Sequence, residues 1–217
     1  MGRVRYSPEK QKAIMSTFID VTSSIIREEG MKAVSIRNVA SKAGYSSATM
    51  YLYFNDIHEL ISLSSITYLR DYISEISKNM GSYDDPKEMY LYTWREFCLH
   101  AFKHPAVFNA LFFGEHSESI DDTVKKYYSI FPHELDKISS NALSMLMAGN
   151  LYTRNMNILK HYTGPAGISD KDADMINEMT VCYFRACLDH ALAEKLDDAD
   201  ITELTEHMVE GAEFLLN

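Results

Sequence analysis

The chain has 217 residues, of which 46% are hydrophobic and 24% are charged, and its net charge is −10. This composition supplies a hydrophobic core and excludes a disordered chain, and the short apolar runs exclude a transmembrane helix. Three cysteines are too few for a disulfide framework, and the N-terminal residues lack the apolar stretch of a secretory signal, so the expected compartment is the cytoplasm.

Helix signals begin close to the N-terminus. Ser7 and Pro8 predict an N-cap and a first helical residue, and apolar residues then recur at steps of three and four until Gly30. Ser35 and Ser46 predict the caps of two further short helices. The first 54 residues carry a charge of +4, whereas the remainder carries −14, so only this N-terminal part is suited to approach phosphates.

The rest of the chain also has helical periodicity. Long helices are predicted from about Ile57 to Met80 and from Pro86 to about Lys103, and a short helix follows the turn at His104-Pro105 and ends near Gly114. Two helices are predicted between His116 and Gly149, and two final helices over about Asp170 to Leu196 and about Asp200 to Leu216. The stretch 150–162 could be helical or irregular, and residues 163–167 read as a loop. The expected fold is all-α with about nine helices, a three-helix head at 1–56 and a helical body at 57–217.

The most informative segment is Ser35 to Phe54, which is typical of a helix-turn-helix. Ala40 and Ala43 are small enough for two helices to cross closely, and Gly44 supplies the left-handed backbone that a tight turn needs. Hydroxyl and aromatic side chains follow on the second helix, where they suit phosphate and base-edge contacts in a DNA groove.

This segment resembles the TetR family of transcriptional regulators. The shared features are Glu28-Glu29-Gly30, Ser35, Val39-Ala40, Ala43-Gly44-Tyr45-Ser46, Ala48-Thr49-Met50-Tyr51-Leu52-Tyr53-Phe54 and Leu60. The chain departs from the family pattern at Tyr45 and Ala48, where valine and glycine are usual. It also departs at Ile57, where the family often has a lysine that touches a phosphate.

The resemblance implies DNA-binding roles for individual residues. Arg37 would contact a phosphate, as would His58 if it replaces the missing lysine; Thr49, Tyr51 and Tyr53 would position the DNA backbone; Tyr45, Ser46 and Ser47 would face the major groove; Arg3 and Arg5 would reach the minor groove. Two alternatives stay open: Tyr51 and Tyr53 could be packing residues, and Arg3 and Arg5 could be a solvated tail.

The resemblance also implies a homodimer that binds a palindromic operator in double-stranded DNA and is released from it by a small molecule. Apolar stripes on the last two helices suit a dimer interface or the protomer core. Aromatic residues in the middle of the chain suggest a pocket for a hydrophobic or aromatic effector, although most aromatics are core residues. The pocket candidates are Trp94, Phe97, His100, Phe112, Tyr128 and Tyr183. The acidic body favours a neutral or cationic effector.

Other functions are less well supported by the sequence. No cofactor motif or catalytic set stands out, so the chain is not expected to be an enzyme, and a helical-bundle enzyme remains a remote alternative. His100 and His104 have a metal-compatible spacing, but no metal site is predicted. A DNA-binding protein regulated by a protein partner, without a small ligand, is the closer alternative.

Overall fold

A computed structural model describes residues 6–79, 82–136, 143 and 145–217, apart from the side chain of Ser119. It confirms the all-α class, since the described residues contain no strand. Within them lie eleven bounded α-helices: α1 (Pro8–Glu29), α2 (Ile36–Ala43), α3 (Ser47–Met50), α4 (Ile57–Asn79), α5 (Pro86–Lys103), α6 (Pro105–Phe113), α7 (Ile120–Ile130), α8 (Pro132–Leu135), α9 (Leu151–Ala166), α10 (Asp170–Ala193) and α11 (Asp198–Leu216). Two short 3-10 helices cover Met31–Ala33 and Ser117–Ser119.

The first three helices have the caps that the sequence predicts. The side chains of Ser7, Ser35 and Ser46 each accept a hydrogen bond from a backbone N–H in the first turn of their helix. Gly44 ends α2 in the left-handed conformation with φ +74°, and the N–H of Tyr45 donates to the carbonyl of Ala40. Because glycine adopts this conformation without steric cost, it can set the angle between α2 and α3.

The long helix α4 joins the head to the body. It packs against α1 in the head and against α5, α6 and α7 in the body. Two buried serines lie in the contact of α1 with α4: Ser23 donates across it to the carbonyl of Ser64 at 3.1 Å, while the hydroxyl of Ser64 donates within α4 to the carbonyl of Leu60 at 2.7 Å and lies 3.3 Å from that of Ile19. Their hydroxyls are therefore satisfied inside an otherwise apolar contact, which fixes the register of the two helices.

An aromatic cluster forms the core of the body, where α5, α6 and α10 meet. The ring of Phe184 lies 5.0 Å from that of Phe97 and 5.5 Å from that of Trp94, centroid to centroid. Phe97 in turn makes edge contacts of 5.5 Å with Phe108 and Phe112. Helix α11 lies along α5, to which Arg95 binds it through a bidentate ion pair with Glu206.

The loop predicted at residues 163–167 was wrong. Helix α9 occupies the stretch that the sequence left open and continues through Pro165 to Ala166. The proline lacks an N–H, so one hydrogen bond to the carbonyl of His161 is lost near the C-terminus of the helix. The turn signal belongs to Gly167, where φ is +71° and the N–H of Ile168 donates to the carbonyl of Thr163. Within the described ranges, no helix has the length and apolar character needed to cross a bilayer.

Candidate functional site

The surface of the head is built from α2, the turn at Gly44 and α3. Met50 and Phe54 anchor this surface, since both are almost fully buried, whereas Tyr51 and Leu52 are 54% and 52% exposed. Ser47 is also exposed, and none of the described residues hydrogen-bonds to its side chain. The burial pattern therefore separates the residues that hold α3 from those that it presents to a partner.

The hydroxyl of Ser46 is already engaged in holding α3. It accepts the backbone N–H of Thr49 at 3.2 Å and lies 2.9 Å from the hydroxyl of Thr49. Both residues were candidates for DNA contact on sequence grounds. In this arrangement their side chains cap α3, and further contacts would use the remaining hydrogen-bonding capacity of each hydroxyl.

The two tyrosines that flank α3 are partly buried. The ring of Tyr45 packs 5.4 Å from that of Phe18 in α1, centroid to centroid, and Tyr53 also packs against the core. Arg37 at the start of α2 and His58 at the start of α4 are exposed. Arg3 and Arg5, the candidate minor-groove arm, lie outside the described residues.

Helix α7 contacts the head directly through Lys126. Its ammonium group donates to Glu59 at 2.5 Å and to the carbonyl of Tyr53 at 3.3 Å, and it lies 5.4 Å from the ring centroid of Phe54. Glu59 also accepts the N–H of Asn55, just after Phe54. One lysine of the body therefore holds the segment that ends the helix-turn-helix.

The body contains a cavity of about 270 Å³ between α4, α5, α6 and α9. Its wall is largely apolar and aromatic, and its polar members come mainly from α9: Leu69, Tyr72, Ile73, Met89, Thr93, Trp94, Phe97, Phe112, Met145, Ala148, Leu151, Arg154, Asn155, Asn157, Ile158 and His161. Three of the six predicted pocket residues, Trp94, Phe97 and Phe112, line this cavity. A concave site of this kind is suited to a small organic molecule.

The other three predicted pocket residues lie elsewhere. Tyr128 is buried, and its hydroxyl bonds to none of the described residues. Tyr183 packs where Gly211 leaves room for its ring, since a Cβ at Gly211 would lie 2.4 Å from that ring. His100 is half-buried behind Tyr72, with ring centroids 5.8 Å apart, and burial lowers its pKa. Aromatic composition alone does not separate such packing residues from those that face a cavity.

Sequence reasoning missed the polar wall of the cavity. Trp94 donates its indole N–H to Asn155 at 2.9 Å, and Asn155 donates to Asn177 at the same distance, so these buried groups are satisfied. Arg154, Asn157 and His161 recur at steps of three and four. That spacing could have indicated a polar helix face had residues 150–162 been assigned as a helix.

The described side chains bring no three potential metal ligands together. Cys98 is buried on α5, and burial raises the pKa of its thiol. The ring of His104 packs against Tyr68, with centroids 4.8 Å apart, and burial lowers its pKa. These side chains serve as packing residues in this arrangement.

Comparison with known proteins gives a match in the head. Residues 18–62 match the family model described as bacterial regulatory proteins, tetR family. No curated protein matches the chain in sequence.

Solved structures match over nearly the whole chain. RolR in complex with resorcinol is 16% identical, with a TM-score of 0.62, and the match covers 97% of this chain and 96% of RolR. Thermus thermophilus FadR, described as a TetR family repressor in complex with lauroyl-CoA, is 14% identical, with a TM-score of 0.57 and coverage of 92% and 93%. Bacillus subtilis FadR with stearoyl-CoA is 16% identical, with a TM-score of 0.53 and coverage of 91% and 96%.

At these identities the solved structures establish a shared fold, while the match to the family model is confined to residues 18–62. Residues 18–62 of this chain are thus similar to bacterial regulatory proteins of the tetR family, and the fold of the whole chain is similar to that of RolR and the FadR proteins.

Proposed function

We propose that this protein is a DNA-binding transcriptional regulator, most simply a repressor, whose affinity for its operator is controlled by a small molecule bound in the body. The observation that carries the proposal is the physical connection, through α7, between the cavity and a helix-turn-helix of family type. RolR and the FadR proteins were solved with small molecules bound, which supports the analogy.

The proposed DNA-binding domain is residues 1–56, and the proposed ligand-binding and dimerisation domain is residues 57–217. Arg37, Tyr51 and His58 are exposed and can reach phosphates, while Ser47 is exposed on α3 and can reach base edges. This surface is supported by the cap that Ser46 forms with Thr49, and by the partly buried rings of Tyr45 and Tyr53. Arg3 and Arg5 are proposed to form an arm that reaches the minor groove, because they belong to the positively charged N-terminal part of the chain.

Contacts run without a break from the cavity to the head. The guanidinium of Arg154 donates to the carbonyls of Met145, Leu146 and Gly149. The N–H of Gly149 donates at 2.9 Å to Asp121, in the first turn of α7, and α7 carries Lys126. A ligand that moves Arg154 would thereby shift α7 and the lysine that holds the end of the helix-turn-helix.

An exposed apolar stripe supports a homodimer. Met175 and Met179 on α10 are 53% and 48% exposed, and Phe214 on α11 is 79% exposed. The two helices run antiparallel and Tyr183 contacts Gly211, so Phe214 lies at the same end of the pair as Met179. An apolar surface of this kind on two adjacent helices favours a four-helix interface with a second copy.

Sedimentation tests the dimer. Met179→Glu is expected to shift the protein toward the monomer, because a charge would be buried at the proposed interface. Leu52→Glu is the matched control, since Leu52 is equally exposed but lies in the head. A dimer that both variants leave intact would contradict an interface on α10 and α11.

The cavity favours control by a small ligand over control by a protein partner alone. A regulator that responds only to a protein partner would be expected to have a body without a cavity. The family match is to regulatory proteins, which supports a regulator over a helical-bundle enzyme. A palindromic operator follows from the proposed twofold symmetry, with half-sites about 34–36 Å apart, one turn of DNA.

The decisive experiment is binding to DNA from upstream of the protein's own gene, measured by anisotropy of labelled DNA over a salt series. We expect tight binding of a short palindrome that weakens steeply with salt and greatly exceeds binding to a scrambled sequence. Arg37→Gln is expected to reduce the slope of log affinity against log salt by about 1, with no change in sequence preference.

Lys160→Gln is the control for loss of one positive charge, since Lys160 is exposed on the body. If the operator lies elsewhere, a selection of binding sequences from random DNA identifies it. Failure to obtain any specific sequence by that selection would refute the proposed function.

A further inference from the structure

The cavity contains a positive charge for which the protein supplies no ion-pair partner. Of the chain's carboxylates, all of which lie in the described residues, none is within ion-pair distance of Arg154. Among the described residues, its partners are three backbone carbonyls, at 2.5 to 2.7 Å, and the face of Phe112, whose ring centroid is 5.7 Å away. Asp121 is nearby but accepts the N–H of Gly149 instead.

Arg154 is half-buried in the cavity wall, and partial burial opposes the charge of its guanidinium. Burial lowers the pKa of Arg154 to about 10, although Tyr72 and Asp121 act in the opposite direction. The guanidinium is still charged at neutral pH. A half-buried cation without a counter-ion is partly desolvated, and a ligand anion would offset that cost when it binds.

Two kinds of donor are left over in the cavity. A guanidinium has five N–H groups, and Arg154 directs three of them to the carbonyls, so two are not used by any of the described residues. Tyr72 also lines the cavity, and its hydroxyl donates to none of the described residues. The two side chains are close enough to interact electrostatically, since burial raises the pKa of Tyr72 and Arg154 opposes that rise.

We infer that the effector is an amphipathic carboxylic acid, whose carboxylate binds Arg154 and Tyr72 and whose apolar body packs against Trp94, Phe97 and Phe112. This inference names the ligand class of the regulatory site proposed above and rests on that function. A carboxylate accepts hydrogen bonds from a guanidinium and a phenol together, and the charged partner makes these bonds stronger than neutral ones. A ligand inside the cavity lies next to the positive charge of Arg154. The net negative charge of the body, which suggested a neutral or cationic ligand, therefore predicts the charge of the ligand less well than this nearby group does.

The size of the cavity limits the acid. At a packing density of about 0.74, a cavity of 270 Å³ holds roughly 200 Å³ of ligand atoms. That volume corresponds to one aromatic ring with a short chain, or to a chain of medium length. Bulkier polar attachments would extend past Asn157 and His161, which are exposed.

The test is calorimetric titration of the full-length protein, without DNA, with three compounds of one skeleton: 4-phenylbutanoic acid, the matching alcohol and the matching amine. A second set of acid, alcohol and amine with a ten-carbon chain tests ligands whose apolar part is aliphatic. We expect the acid of at least one set to bind at least tenfold more tightly than its alcohol, and the amine to bind most weakly. Equal or tighter binding of the alcohol or amine, or no binding by either acid, would overturn the inference.

Variants assign the effect to the two donors. Arg154→Gln should abolish the preference for the acid, but it also leaves three carbonyls without a donor and its melting temperature must be checked. Tyr72→Phe removes only a hydroxyl and is expected to weaken acid binding about three- to tenfold with no change for the alcohol. Tyr128→Phe, which removes a buried hydroxyl away from the cavity, is the matched control and should bind like the wild type.

Because no DNA is present, the outcome is independent of the regulatory proposal. An acid that binds to a protein without specific DNA affinity would refute the proposed function and leave the ligand class standing. Specific DNA binding together with equal effects of Tyr72→Phe and Tyr128→Phe on acid binding would refute the placement of the carboxylate.

Discussion

Lys126 and Lys125 are adjacent on α7, and their replacement by methionine is expected to have very different consequences. Lys126 is paired with Glu59, whose side chain is only 13% exposed, whereas Lys125 is paired with Asp122, whose side chain is 78% exposed. Both substitutions remove one positive charge and keep an unbranched apolar stem. The pair of variants therefore separates the contact made by Lys126 from the effect of charge.

The expected loss for Lys126→Met follows from three contacts. A hydrogen bond to a charged group contributes about 1.5–3 kcal/mol, and a cation–π contact at a partly exposed site contributes about 0.5–1 kcal/mol. Glu59 keeps the N–H of Asn55 and some access to water, so the penalty stays below the roughly 3–5 kcal/mol of a fully buried pair. We expect a loss of about 2–3 kcal/mol, whereas Lys125→Met should lose about 0.5 kcal/mol or less.

Thermal unfolding at a fixed protein concentration, followed by circular dichroism, measures the difference. In a protein of this size a loss of 1 kcal/mol lowers the melting temperature by about 2–4 °C, so Lys126→Met should melt roughly 4–12 °C below the wild type. Lys125→Met should melt within about 2 °C of the wild type. Equal melting temperatures for the two variants would refute the view that Lys126 clamps the head to the body.

Further predictions concern the head and its junction with the body. Ser46→Ala should destabilise the head by about 1 kcal/mol through loss of the cap on α3. Ser47→Ala should change the stability by no more than about 0.5 kcal/mol but should weaken specific DNA binding. Thermal melts and operator titrations of both variants check this, and a Ser46→Ala variant as stable as the wild type would show that the cap is dispensable. Partial burial raises the pKa of Asp56, but the N–H of Glu59 and the ring of His116 outweigh it, so the pKa is lowered overall. The ionised carboxylate thus contributes stability above its unfolded pKa of about 3.9, and this is lost as the pH falls through the lower folded value. Melts between pH 3 and pH 6 should show a steeper acid loss for the wild type than for Asp56→Asn, and parallel curves would contradict that contribution.

The sequence predicts best those features that depend on a few neighbouring residues. The turn at Gly44 and the cap at Ser46 were predicted correctly, because a left-handed glycine and a hydroxyl cap need nothing beyond their own segment. The helix-turn-helix and its resemblance to the tetR family model could be recognised for the same reason. At Pro165 the local turn signal gave a wrong prediction, since the helix continues through the proline in its last turn, where a single hydrogen bond is lost.

Features that depend on the meeting of distant segments could not be predicted. The chemistry of Arg154 depends on where the carbonyls of residues 145, 146 and 149 lie relative to α9. Tyr183 was assigned to the pocket for its aromatic ring, but it packs at Gly211 on the following helix. Half of the predicted pocket residues do line the cavity, because three aromatics on α5 and α6 share a buried face.

The position of Trp94 gives the protein a built-in optical probe. It is the single tryptophan of the chain, it lines the cavity, and its indole N–H is held by Asn155. The tryptophan emission of the native protein therefore comes from one point, next to the place where a ligand would lie. Occupancy of the cavity can be followed in the unmodified protein through the wavelength and intensity of that emission, even while the protein is bound to DNA.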